Sequence, residues 1–247
     1  AYKNLSEKYG KINTDVAVRS SATAEDLPGA SFAGQHESYL NMQGEAELLD
    51  AIKKCMASLF NDRAISYRRE KGFGHFKIAL SVGIMKMVRS DLASAGVIFT
   101  LDTESGFRDI VLINGSWGLG EMVVKGRVVP DEFLVFKTTL SKGFRPIISK
   151  NMGTKDKKLV YSAEDTKEAA VSQKDRARFV LNDEEILKLS EWAVLIEKHY
   201  GLPMDIEWAK DGKSNQLFIL QARPETIHTA KINHNYRQFI LKESAEA

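Results

Sequence analysis

Two stretches of this chain concentrate residue types that can handle a charged oxyanion. The first is VAVRSSATAED, Val16 to Asp26. Val16 and Val18 alternate with Ala17 and Arg19, which predicts a short strand that delivers Arg19 to its carboxyl end. Ser20, Ser21, Ala22 and Thr23 follow, small residues whose backbone N–H groups and hydroxyls can approach a ligand closely. An arginine beside such donors suits an anion, because guanidinium forks match phosphate oxygens. Glu25 and Asp26 come next, and Pro28-Gly29 and Gly34 then punctuate a loop that can fold back over the site.

The second stretch is MDIEWAKDGKSNQLFILQARPETI, Met204 to Ile227. It predicts two strands, Met204 to Ala209 and Leu217 to Arg223, joined through Asp211-Gly212. Uniform alternation sets Met204, Ile206 and Trp208 against Asp205 and Glu207 on the first. On the second it sets Phe218, Leu220 and Ala222 against Leu217, Ile219, Gln221 and Arg223. A pairing of odd with odd gathers Asp205, Glu207, Gln221 and Arg223 on one surface, and a slip of one residue separates them. Two carboxylates and an amide oxygen are hard ligands of the kind Mg²⁺ takes together with substrate phosphates. An arginine among them can hold a terminal phosphate and stabilise charge during transfer.

The elements that must position these groups are legible between them. Leu48, Leu49, Ile52, Cys55, Met56, Leu59 and Phe60 recur at helical spacing within 44–72, broken at Asn61-Asp62. Cys55 reads as a buried small hydrophobe, and Arg63, Arg68 and Arg69 as a mostly solvated face. Ile78, Leu80, Val82 and Ile84 alternate as a strand. Further strands are expected over 96–101, 109–114 and 132–136. The stretch 138–178, with Lys155, Asp156, Lys157 and Lys158 in a row, reads as solvated hairpin and linker. Asn182 and Glu185 form a capping box for a helix that Gly201 and Pro203 end, with a stripe of Ile186, Leu189, Ala193, Ile196 and Tyr200. The run GSWGLGE, Gly115 to Glu121, lacks the spacing of a Walker A loop or a dinucleotide fingerprint.

Composition narrows the class. The 247 residues are 43% hydrophobic, and 35 basic against 33 acidic residues give a formal charge of +2. That balance, without a long Lys/Arg run, argues against nucleic acid as partner. A single cysteine excludes an internal disulfide. No apolar run reaches the roughly 20 residues of a membrane span, so no membrane partner is expected, and the expected localisation is cytoplasmic.

VRSSATAEDLPGASFAGQ closely resembles the signature of the nucleotide-binding domain shared by phosphoenolpyruvate synthases and pyruvate phosphate dikinases. SLFNDRAISYRREKG and the closing DIEWA and LFILQARPET are similar to the synthase branch. The resemblance implies an α+β, ATP-grasp-like fold of mixed or antiparallel sheets with flanking helices in two lobes. Residues 1–90 would carry the VRSSAT loop and a helical segment. Residues 91–227 would form a lobe ending in the metal and phosphate hairpin, and 228–247 a linker toward an absent phosphohistidine domain. The resemblance implies a chain that binds ATP as substrate with Mg²⁺ as cofactor. Arg19 and Arg223 would act on phosphates, Glu207 and Gln221 would hold the metal, and Asp205 would support them. Gly34 and Ser38 would touch the nucleotide from the loop, Met87 and Val88 would frame adenine, and Glu121 would make a polar contact.

The chain departs from the family at Met85, where glutamine is usual. It also shows no counterpart of an upstream lysine, so it is expected to be a piece of a longer protein. The implied whole enzyme converts ATP, pyruvate and water to phosphoenolpyruvate, AMP and phosphate through a phosphohistidine. Its partners would be the phosphohistidine and pyruvate-binding domains, with a possible homodimer. The five histidines, His36, His75, His199, His228 and His234, match no acceptor motif. The alternatives are the ATP domain of another dikinase-like phosphotransferase, of the rifamycin phosphotransferase or pyruvate phosphate dikinase type, and a nucleotide-binding module inactive in isolation.

Overall fold

A computed structural model describes residues 1–23, 38–75, 77–162 and 166–225. Helix α1 (Tyr2–Lys8) leads to strand β1 (Val16–Ala22), and β2 (Ser38–Met42) pairs beside it. Helices α2 (Glu45–Ala57) and α3 (Asp62–Glu70) follow, separated by a single 3-10 turn. The break falls where the sequence places it, because the Asn61 side chain accepts the Ala64 N–H and starts α3 afresh. Strand β3 (Leu80–Lys86) then closes a three-stranded antiparallel sheet in the order β2-β1-β3.

The chain crosses through residues 87–93 into a larger sheet. Its members are β4 (Ser94–Phe99), β5 (Ile110–Trp117), β6 (Asp131–Phe136) and β7 (Ile147–Asn151), with short helices α4 (Glu121–Val124) and α5 (Lys137–Leu140) between them. Strands β8 (Lys157–Tyr161) and β9 (Thr166–Ala170) pair with each other, and α6 (Gln173–Arg176) follows. Helix α7 (Asp183–Tyr200) then leads to β10 (Met204–Lys210) and β11 (Leu217–Pro224). The six strands run antiparallel in the order β11-β10-β4-β5-β6-β7. The stretch 138–178 supplies the expected hairpin, β8 with β9, and beyond that expectation an edge strand of the larger sheet. Among the described residues no helix is long and apolar enough to cross a membrane.

Helix α7 covers one face of the larger sheet. The Asn182 and Glu185 capping box forms as the sequence predicts, and Gly201 ends the helix in a left-handed conformation. Ile186, Leu189 and Ala193 are fully buried against Ile98, Ile113, Phe133, Met204, Ile206 and Trp208. Tyr200, assigned to that stripe by spacing, is 56% exposed. Trp208 lies over a floor made by Gly96 and Gly115, which face each other across β4 and β5. A Cβ on Gly115 would stand 2.8 Å from the Trp208 ring, and one on Gly96 would stand 1.9 Å from the Asn114 carbonyl oxygen. Both positions need glycine for lack of room.

On the three-stranded sheet Val16 and Val18 pack with Leu48, Ala51 and Cys55 of α2. Cys55 is completely buried. Leu49, Met56 and Phe60, counted as apolar stripe in the sequence, are exposed. Two basic residues read as solvated are not. Arg68 is 1% exposed, its Nε donating to His75 Nδ1 at 3.1 Å. Lys155 is fully buried, its Nζ bonded to Asp131 and to the Gly153 carbonyl. Asp131 also accepts the N–H groups of Gly153 and Val180, so one carboxylate ties β6 to two loops.

Candidate active site between the two sheets

The register of β10 and β11 decides whether the polar residues meet. Asp205 stands opposite Arg223 and Glu207 opposite Gln221, the pairing of odd with odd. A bulge follows: the next pair is Trp208 with Ile219, leaving Leu220 as the extra residue. This corrects the uniform alternation expected for β11. One inserted residue flips the side-chain phase. Ile219 and Leu217 therefore join the core with Ala222, while Gln221 and Arg223 remain on the polar face.

That face receives a residue from the other sheet. Arg19, on β1 between Ser38 of β2 and Gly83 of β3, reaches Glu207 with its Nη2 donating to Oε2 at 2.7 Å. Their side chains are 26% and 21% exposed. The geometry follows from β1, where Val16 and Val18 face α2 while Ala17 and Arg19 face the opposite way. Beside this pair, Arg223 donates from Nε to an Asp205 oxygen at 2.8 Å, and its Nη2 lies in ion-pair contact with the same oxygen at 2.7 Å. Four ionised groups and one amide thus share a surface between two sheets, drawn from positions 19 to 223. Ser38 is exposed, directly across from Arg19. Gly34 lies outside the described residues.

The crossover forms a neighbouring wall. Met87 is buried in a cluster with Ala17, Leu119 and Met122. Its N–H donates to the Asp15 carbonyl at 3.0 Å and its carbonyl accepts from Lys86 Nζ at 2.8 Å. The Val88 carbonyl accepts the Ser90 N–H. Both backbone groups of Met87 are therefore engaged within the chain, and its side chain packs in that core cluster. Met85, by contrast, is 37% exposed. Glu121 opens α4 next to the buried Met122 and pairs with Lys125.

Sequence reasoning missed the charged ring around this crossover. Asp15 accepts from Lys11 at 2.5 Å and Lys86 at 2.8 Å. Burial pushes the Asp15 carboxyl up, but the hydrogen bonds from those two lysines outweigh it and hold it below its ordinary value. Arg89 grips Asp91 through Nε and Nη2, each at 2.8 Å, and its guanidinium lies 4.9 Å from the Tyr161 ring centre. Its N–H donates to Asp211 at 3.1 Å, and its carbonyl accepts the Gly212 N–H. Burial drives the Tyr161 phenol far above its ordinary range. No local spacing announces this ring, because its members come from four separate segments.

Among the described residues no three His, Cys, Asp or Glu side chains form a metal cluster. Glu207 and Gln221 nevertheless offer a carboxylate and an amide oxygen side by side on one strand pair. This fits a cation that takes one or two protein oxygens and completes its shell with phosphate.

Residues 1–243 match the family described as the pyruvate phosphate dikinase, AMP/ATP-binding domain. The chain belongs to that family, and its α+β architecture is of the ATP-grasp-like kind. Among individual proteins it is 55% identical over 253 residues to the phosphoenolpyruvate synthase of Aquifex aeolicus, covering 99% of this chain and 30% of that protein. It is 54% identical over 249 residues to that of Helicobacter pylori, covering 97% and 31%, and 53% identical over 235 residues to that of Escherichia coli, covering 91% and 30%. The chain spans about 30% of the length of these relatives.

Proposed function

We propose that this chain is the ATP-binding part of a phosphoenolpyruvate synthase, a pyruvate, water dikinase. The whole protein would turn ATP, pyruvate and water into phosphoenolpyruvate, AMP and phosphate through a histidine phosphorylated on another domain. The observation that carries the reading is the meeting of Arg19 with Glu207, Gln221, Asp205 and Arg223 on one half-buried surface between two sheets. Arg19 and Arg223 would hold phosphate oxygens by charge-assisted hydrogen bonds. Glu207 and Gln221 would hold Mg²⁺, which when bound neutralises charge on the phosphates. Asp205, fastened to Arg223, would aim that guanidinium.

Met87 and Val88 would frame the adenine, with Gly34, Ser38 and Glu121 at the loop and ribose side. Phosphoryl transfer of this kind depends on positioning and charge neutralisation, so the chain needs no general base of its own. Residues 1–90 and 91–227 would be the two parts of the domain, and 228–247 a linker to the phosphohistidine and pyruvate-binding domains. A cytoplasmic, gluconeogenic enzyme follows from the reading, without nucleic acid or membrane as partner. A homodimer is part of the same proposal, with the exposed Leu49, Met56 and Phe60 as apolar surface to cover.

The test is Arg223→Ala in the intact protein, followed by transfer of radiolabelled phosphate from ATP to protein histidine. Loss of labelling by two orders of magnitude or more is expected, on the order of one removed charge-stabilising donor. Unchanged labelling would refute the role given to Arg223.

A further inference from the structure

We infer that Arg19 and Glu207 form a charge latch through which this site takes nucleotide and divalent cation together and resists either alone. The inference rests on the nucleotide reading above. The arginine assigned above to phosphate and the carboxylate assigned to metal are bonded to each other at 2.7 Å across the two sheets. The second pair, Asp205 with Arg223, lies beside it, so the four ionised groups sum to zero charge. Both members of the latch are mostly covered and sit on strands, where a separated charge finds little solvent.

The consequences differ by ligand. If Arg19 turns to a triphosphate without metal, Glu207 loses its partner and faces added negative charge. If Glu207 turns to a dication without nucleotide, Arg19 loses its partner beside added positive charge. Only when both ligands arrive is one ion pair exchanged for two. Coupling between two ligands is reciprocal, and values of roughly 5- to 150-fold are typical; the latch is expected to supply on the order of tenfold.

The experiment is calorimetric titration of the intact protein with the β,γ-imido analogue of ATP in chelator, with Mg²⁺ alone, and with both. Each wild-type ligand should raise the affinity of the other by about tenfold or more. The decisive variant is Glu207→Gln. Releasing Arg19 should make the metal-free analogue bind about tenfold tighter than to wild type, while the effect of Mg²⁺ shrinks. The tightening should depend on Arg19: Arg19→Gln/Glu207→Gln should bind the metal-free analogue no tighter than Arg19→Gln, whereas equal tightening in both backgrounds, which mere removal of a repelling charge would give, overturns the latch while the nucleotide reading stands. Arg19→Gln supplies the reciprocal test, with Mg²⁺ alone expected to bind tighter than to wild type; an unchanged affinity overturns the latch. Failure of folded wild-type protein to bind the analogue with Mg²⁺ overturns both readings. Thermal melts of each variant establish that the folded form is being titrated.

Discussion

Lys155 shows how far a residue's surroundings can depart from its neighbours in sequence. It sits in a run of charges that reads as solvated, yet it is fully buried and bonded to a fully buried Asp131. Removing one partner of a buried pair strands the other, at about 3–5 kcal/mol. Lys155→Ala should therefore lower unfolding free energy by roughly that amount in denaturant titrations, whereas Lys157→Ala, on an exposed side chain, should change it by less than about 0.5 kcal/mol. Arg68 makes the same point, being buried among Arg63 and Arg69 in a segment that looks uniformly polar. Burial of a single long cation depends on a distant acceptor or on enclosing side chains, and neither leaves a periodic trace. The strand position of Arg19 was legible from the alternation around it. Its contact with Glu207 was not, because 188 residues separate them.

Elements were more legible than individual contacts. The capping box of α7 and the alternation of β10 are strong local signals, and the structure honours both. Strand β11 was half legible, since the bulge at Leu220 reverses its phase midway. Alternation alone cannot place such an insertion, but its result is sensible: polar groups stay at the site while Ile219 and Leu217 reach the core. Strand β7 escaped notice because it is an edge strand, and its sequence carries polar Ser149, Lys150 and Asn151. Within the larger sheet Gly96 bears a sharp requirement. Gly96→Ala would set a methyl 1.9 Å from a backbone oxygen, and backbone cannot swing aside as a side chain can. The variant is expected to lose about 3 kcal/mol or more, at or beyond the upper end of ordinary overpacking, read as a drop in melting temperature. Gly126→Ala, with open space around it, is limited to the smaller strain of its left-handed backbone.

At the scale of the whole molecule, the connection between the sheets is braced from both directions. Asp15 and Lys86 tie the approach to β1 to the end of β3, and Arg89 ties the crossover to Asp211 in the turn after β10. Asp211 is held below its ordinary value, burial being outweighed by N–H donors that include Ser214, Arg89 and Lys213. Both carboxyls are thus more acidic folded than unfolded. Their stabilisation is fully present above the unfolded carboxylate range, near 4, and is lost as pH falls through the folded values. Melting temperature should therefore drop as pH is lowered below about 4, and Asp15→Asn should flatten that slope. A wild-type profile flat to pH 2 would contradict the bracing role. The same interior holds a built-in clock. Cys55 is the chain's sole thiol, sealed beneath β1 with its sulfur 3.7 Å from the Val18 carbonyl. A thiol-reactive dye reaches it only when α2 lifts away, so the labelling rate counts those excursions. If nucleotide engages Arg19 as proposed, it should steady β1 and slow the count, turning a buried packing atom into an optical gauge of how firmly α2 sits on its sheet.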